Sequence, residues 1–267
     1  MKKIKVLLIA LSIFLVSPLT NAAGGHGSAN LDKVHIDMGD IASLQNGAKL
    51  FVNYCLSCHS AGYARYNRVA EDLDIPLKRL KENLMFTTEK AGDLMKTSMS
   101  EKDAKSWFGV TPPDLTLVSR VRKPNWVYTY LRSFYRDESS PSGWNNSLFE
   151  NVAMPHVMYE LQGAPMLMSK PDEGDHAGEH GKGHGEADAV DETKYVAGGA
   201  TFDMSHRGKL SNAEFDSEMR DLTNFLVYLA EPAQLQRKKI GVWTIAFLIL
   251  FMLLAIVLKK EYWRDVH

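Results

Sequence analysis

Nineteen consecutive residues without a charge, Ile240 to Leu258, constrain this chain more than any other feature. As a helix rising about 1.5 Å per residue the run reaches about 30 Å, the hydrocarbon thickness of a bilayer. A soluble core helix of that length would carry a polar stripe, and this one does not. Trp243 and Trp263 lie near its ends, where amphipathic rings favour the membrane–water interface. The pattern predicts a transmembrane anchor over 237–260 and a short tail over 261–267.

The other end of the chain also reads as a membrane signal, but one that is removed. Lys2, Lys3 and Lys5 give a basic start. Val6 to Val16 is an apolar run too short to span a bilayer, and Thr20-Asn21-Ala22 closes it with residues suited to cleavage. Residues 1–22 are therefore expected to be a signal peptide, cut after Ala22 or Ala23. Basic residues flank the anchor on both sides (Arg237, Lys238 and Lys239 before it, Lys259, Lys260 and Arg264 after it), so flanking charge does not orient it. The export signal does: the body, 23–236, lies outside and the tail inside. Setting aside the three lysines of the leader, and the six basic and two acidic residues of 237–267, leaves 22 basic and 30 acidic residues in the body, a formal charge of −8. Such a surface steers basic partners and repels nucleic acid.

Roughly 215 residues between signal and anchor suffice for one single-core domain with long loops. The reading is mainly α. Leu44, Leu50 and Phe51 recur at helical spacing over Ile41 to Tyr54, with Gly47 one turn before Phe51. A capping box, Ser211 to Glu214, opens a helix whose Phe215, Met219, Leu222, Phe225, Leu226 and Leu229 share a face, with Pro232 past its end. These two helices are expected to pack together, Gly47 allowing close approach near Phe225. Leu77 to Leu84 and Trp126 to Tyr135 read as further helices, while 23–34, Thr111 to Asp114 and 137–147 read as surface leader and loops. No strand run of any length stands out. Residues 170–194 hold eight acids and five glycines, a composition that predicts a disordered insert. His176, His180 and His184 within it stand four apart, as metal ligands on a helix would, but the glycines argue for a solvated loop.

The chemistry sits in Cys55-Leu56-Ser57-Cys58-His59, which contains the only two cysteines of the chain. Two thiols separated by two residues can add across the two vinyl groups of a porphyrin, and the adjacent imidazole then faces the iron from the same side. That is the spacing of covalent haem attachment. A zinc site would need further ligands, usually a second cysteine pair. A thioredoxin-like redox pair would accompany a βαβ pattern. A disulfide would close too small a loop to stabilise much. One motif implies one haem c.

The sixth iron position decides between electron transfer, which favours methionine, and ligand binding, which leaves the position open or gives it to a second histidine. Met154 is the leading methionine: it lies far downstream in Asn151-Val152-Ala153-Met154-Pro155-His156, where Pro155 restricts the backbone. Met158, Met166, Met168 and Met204 remain candidates, and His156 is a rival of another type. Arg120 and Arg122 could pair with haem propionates or be ordinary surface arginines.

Cys55-x-x-Cys58-His59-Ser60, Pro112-Pro113-Asp114-Leu115, Arg120-Val121-Arg122, Ala153-Met154-Pro155 and Ala230-Glu231-Pro232 ahead of a basic cluster and single span resemble, in that order, the cytochrome c1 family. Its members are the haem c subunits of the ubiquinol–cytochrome c oxidoreductase (cytochrome bc1) complex. The resemblance implies His59 and Met154 as axial ligands, Arg120 near a haem propionate, and Pro112 and Pro113 beside the haem on the histidine side. In such cytochromes a proline carbonyl commonly accepts the histidine's other N–H. It further implies a non-catalytic electron-transfer subunit. Its partners would be cytochrome b and a Rieske iron–sulfur protein, its acceptor a soluble basic cytochrome c, and its place the bacterial inner membrane with the haem domain on the periplasmic side. Two features depart from relatives: Trp107-Phe108-Gly109 stands where some carry asparagines, and Trp126 where a tyrosine often occurs. The alternatives are a membrane-tethered shuttle, a haem c subunit of a terminal oxidase and, from another class, a haem sensor.

Overall fold

In a computed structural model of the chain, residues 30–170 and 192–264 are described. The signal expected over 1–22, and the central part of the 170–194 insert with His176, His180 and His184, lie outside them. In chain order the elements are α1 (Ile41–Leu50), which runs into a π-helical turn (Phe51–Cys55), β1 (Ala61–Arg65), α2 (Tyr66–Asp72), α3 (Leu77–Asn83), β2 (Leu94–Met95), α4 (Glu101–Phe108), α5 (Val118–Val121) and α6 (Pro124–Arg132). There follow β3 (Phe134–Arg136), β4 (Trp144–Asn146), α7 (Tyr159–Gln162), β5 (Met166–Ser169), β6 (Lys194–Ala197), β7 (Ala200–Asp203), α8 (Asn212–Ala230) and α9 (Gln234–Tyr262).

The frame is the crossing of α1 and α8. Asp40 caps α1 by accepting from the Ser43 N–H at 3.0 Å. Ser211 and Glu214 form a full capping box on α8. At the crossing a Cβ on Gly47 would lie 2.2 Å from the Asp221 carbonyl oxygen and 2.6 Å from Phe225 Cβ, so only glycine lets the backbones come this close. Phe51 and Phe225 then meet with ring centroids 5.7 Å apart. Phe215, Met219, Leu222, Phe225, Leu226 and Leu229 are all buried, as the periodicity of α8 required. One polar cluster lies within this contact: Ser43 Oγ donates to Asp221 Oδ1 at 2.7 Å, and Asn224 Nδ2 donates to Ser43 Oγ at 3.1 Å.

The domain is mainly helical, but it contains strands that the sequence pattern did not disclose. They form two antiparallel pairs, β1–β2 and β3–β4, and one antiparallel sheet of order β5–β7–β6. Each strand has two to five residues, too few for a period of two to emerge from the sequence. The β6–β7 hairpin did carry a signal in Gly198-Gly199, both at positive φ (58° and 78°) as a two-residue hairpin turn demands. The helix expected over Trp126 to Tyr135 ends at Arg132, since Phe134–Arg136 leaves it to pair with Trp144–Asn146. The loop expected over 137–147 accordingly ends in a strand. The leader expected on the surface over 23–34 is tied down from Asp32 onward. The N–H of Asp32 reaches Thr129 Oγ1 at 2.9 Å, and Val34 packs against the core.

Helix α9 is long and apolar enough to cross a membrane, and the apolar side chains of its span are exposed along its whole length. It extends beyond 237–260 by less than a turn at each end.

Candidate functional site

The cysteine motif occupies the end of α1. There the helix widens to a π turn, and the Leu56 N–H bonds the Phe51 carbonyl at 2.9 Å. The carbonyl of Cys55 then accepts from both Cys58 N–H (3.0 Å) and His59 N–H (2.8 Å), which curls the motif back over its first cysteine. Both thiols are free: Cys55 is buried and Cys58 partly so. Burial, with a lesser effect of Cys58, pushes the Cys55 thiol up to about 12.

The proline loop lies alongside. His59 Nδ1 is 2.7 Å from the carbonyl oxygen of Pro113, so that nitrogen carries the proton and Nε2 is left as a lone-pair donor. Burial lowers the His59 pKa, opposed by this hydrogen bond and by Asp114, so the imidazole is neutral. The loop is held in register by Asp114, whose carboxylate accepts from Gly62 N–H at 2.6 Å and Thr116 N–H at 2.8 Å. Leu115 N–H adds a bond to the Ser60 carbonyl at 2.8 Å. On the other flank Thr97 Oγ1 donates to the Ser57 carbonyl at 2.7 Å, and Thr97 N–H to Ser60 Oγ at 3.0 Å. Pro112 is partly buried and Pro113 exposed at the turn.

Met154 lies in irregular backbone between β4 and α7, half-buried. Two buried asparagines of β4 build the approach to it. Asn146 Oδ1 accepts from the N–H groups of Leu148 and Phe149 at 3.0 and 3.1 Å, and Asn145 Oδ1 from that of Asn151 at 2.9 Å. Its sulfur receives the Tyr130 hydroxyl at 3.4 Å. Burial raises the Tyr130 pKa, so that hydroxyl keeps its proton. The competing methionines sit differently: Met158 and Met204 are buried in the core, and Met166 and Met168 are exposed on β5. His156 stacks on Phe134 with centroids 5.2 Å apart and meets Trp144 edge-on at 5.1 Å. Among the described residues its Nε2 is buried without a hydrogen-bond partner, and burial pushes the imidazole down to about 3, against a smaller upward effect of the neighbouring Gln162 side chain.

Arg120 extends from α5 as an exposed side chain. Its charge contributes, after the closer Arg237, to holding Glu231 below the usual carboxylate range. Arg122 lies over the Trp126 ring at 4.8 Å, a cation–π contact. Three supporting groups escaped the sequence reading. Asp114 stands in the Pro112-Pro113-Asp114-Leu115 motif, but nothing in the sequence showed that its carboxylate braces the loop. Asn145 and Asn146 fall in a segment read as loop. Arg132 is a buried hub: it binds Asp216 in a bidentate pair at 2.7 and 2.8 Å, the Tyr195 hydroxyl at 2.6 Å, and Asp32.

The site residues offer two unbridged thiols at Cys55 and Cys58, the Nε2 lone pair of His59, and at Met154 a thioether whose second lone pair the Tyr130 hydroxyl leaves open. These fit a haem c: the thiols to hold it, the nitrogen and sulfur to bind iron. A mainly helical domain that carries these donors, joined to a helix long and apolar enough to cross a membrane, has the features of a membrane-anchored c-type cytochrome. The comparisons narrow the class. The chain is 47% identical over 260 residues to cytochrome c1 of Allochromatium vinosum, an alignment covering 97% of this chain and 99% of that one. It is 24% identical over 253 residues to cytochrome c1 of Blastochloris viridis, covering 85% and 82%. A profile described as Cytochrome C1 family matches residues 204–266. The chain is also 41% identical over 267 residues, the full length of both, to a Nitrosomonas europaea protein named ammonia monooxygenase gamma subunit. This chain belongs to the cytochrome c1 family, whose role is electron transfer in the bc1 complex and whose membership implies a haem c cofactor.

Proposed function

We propose that the chain carries one haem c bound covalently through Cys55 and Cys58, with His59 and Met154 as axial ligands. Pro112 and Pro113 would line the histidine side and Arg120 would face a propionate. We further propose that it takes single electrons from a Rieske iron–sulfur protein, beside cytochrome b, and passes them to a soluble basic cytochrome c. In this reading residues 1–22 are a signal, 23–236 a periplasmic haem domain that includes the 170–194 insert, 237–260 the anchor in a bacterial inner membrane and 261–267 a cytoplasmic tail.

The contact between His59 Nδ1 and the Pro113 carbonyl, 2.7 Å, is the observation that carries this reading. It fixes the tautomer, aims Nε2 and leaves a neutral donor at the residue that the thiols would bring to the iron. The haem, once bound, supplies a one-electron couple. Met154 offers a neutral sulfur, a ligand that keeps the potential high and the sixth position closed to small molecules. The exposed Arg120 guanidinium offers a paired donor for a carboxylate. A body of formal charge −8 attracts a basic acceptor, with docking that weakens as salt rises.

The test is purification of the full chain from gently solubilised membranes. Haem retained on the denatured chain, with cytochrome b and a Rieske protein in the purified complex, supports the proposal; a denatured chain without haem overturns it. The Nitrosomonas relative, similar over its whole length, favours a second reading in which the electrons go to a monooxygenase. Monooxygenase subunits in the purified complex, in place of cytochrome b, would favour that reading. A terminal oxidase, or no partner at all, would favour the oxidase subunit or the tethered shuttle.

A further inference from the structure

The geometry points to Tyr130 as a positioning residue that orients Met154 and tunes its donor strength through a hydrogen bond to the sulfur. This rests on the reading of Met154 as an axial ligand and goes one residue beyond it. The Tyr130 hydroxyl lies 3.4 Å from Met154 Sδ, and among the described residues it makes no other hydrogen bond. A thioether accepts but cannot donate, so the tyrosine must be the donor. One sulfur lone pair is then occupied and the other is directed elsewhere. This matters because Met154 belongs to no helix or strand, and its loop backbone alone does not fix the side chain.

The ring that delivers the hydroxyl is itself held from several sides. Trp126, one helical turn before it, stacks on Tyr130 with centroids 5.0 Å apart and planes 11° from parallel. Phe134, four residues after it, meets it edge-on at 5.1 Å. Asn146 Nδ2 clips the Tyr130 carbonyl at 2.8 Å. Arg122 lies over the Trp126 ring, with 4.8 Å from its guanidinium carbon to the ring centroid. A phenylalanine would fill the same slot in this stack, so the hydroxyl is the part that acts on the methionine.

Withdrawal of electron density from the sulfur weakens it as a donor to the more electron-poor, ferric iron. The bond therefore favours the reduced form and raises the potential. The experiment is a redox titration, with visible spectra, of the full haem-loaded chain in its membrane complex. Tyr130→Phe should keep the covalent haem and the methionine–iron charge-transfer band, shift that band, and lower the ferrous-to-ferric ratio at fixed ambient potential about threefold, as expected for losing one modest hydrogen bond. Tyr130→3-fluorotyrosine preserves the packing and makes the hydroxyl a stronger donor, and should raise the same ratio. A native chain with the methionine band, whose ratio and band are unchanged in Tyr130→Phe, overturns the role of Tyr130 alone. So does a ratio that moves the same way in both variants. A native chain with no methionine band overturns the ligand reading itself, and the role of Tyr130 with it.

Discussion

His59 has one nitrogen to give a metal because the other is committed to Pro113 at 2.7 Å. At this scale the spacing of the cysteine motif stood out in the sequence as one suited to covalent haem attachment. The choice of a sixth ligand for the proposed haem did not: Met154, Met158, Met166, Met168 and Met204 are chemically the same residue in a sequence, and only their surroundings separate them. With Met158 and Met204 enclosed in the core, Met166 and Met168 on an exposed strand, and Met154 facing a tyrosine hydroxyl, Met154→Ala is the decisive change. It should leave haem attached, admit carbon monoxide to the reduced protein and lower the midpoint potential; carbon monoxide difference spectra and a redox titration check this. Unchanged ligation would return the assignment to His156, buried nearby with a free nitrogen. Arg132 was invisible for a different reason: its partners Asp32 and Asp216 lie 100 and 84 residues away. Arg132→Leu leaves two carboxylates and a tyrosine without their cation and should cost about 3 kcal/mol. It should also release the Asp32 segment. A lowered melting temperature and faster proteolysis near residue 32 would show both.

Elements were legible in proportion to their length. Helices α1 and α8 announced themselves by period and cap, and their contact was readable because glycine one turn before an aromatic residue is a sign of close backbone approach. The strands were hidden, because a pairing of two or three residues is chosen by its partner and not by its own pattern. The cap on α8 gives a pH prediction. Bonds from the Ser211 backbone and hydroxyl hold the Glu214 carboxyl below its ordinary value of 4.5. Being depressed on folding, it stabilises the helix fully above 4.5, and that stabilisation is lost as the pH falls from there through the lower folded value. Glu214→Gln should therefore reduce stability at neutral pH and flatten its dependence on pH below 5. Thermal melts of the two proteins from pH 7 to pH 3 measure it, and parallel curves would remove Glu214 from the cap.

The whole molecule divides at Ala233. Upstream, one core takes in α1, α8 and the sheet β5–β7–β6, and downstream, the membrane-length run of α9 is without burial against that core. A span that contributes nothing to the core contributes little to the domain's stability, because hydrophobic stabilisation follows area removed from water and here the lipid supplies that removal. The sequence put the start of the anchor at 237, three residues after the helix begins, since a long uncharged run needs no tertiary context to be recognised. It could not show that the domain is finished without it. If the proposed function holds, ending the chain after Ala233 should therefore release a soluble protein that keeps its covalent haem, its visible spectrum and a melting temperature within a few degrees of the anchored form. It should lose its place in the membrane complex. Absorbance spectra and melts of the secreted fragment, beside the full chain in detergent, measure both halves of that expectation. If the fragment loses its haem or unfolds, α9 packs on the domain in the membrane, and the division at Ala233 is wrong.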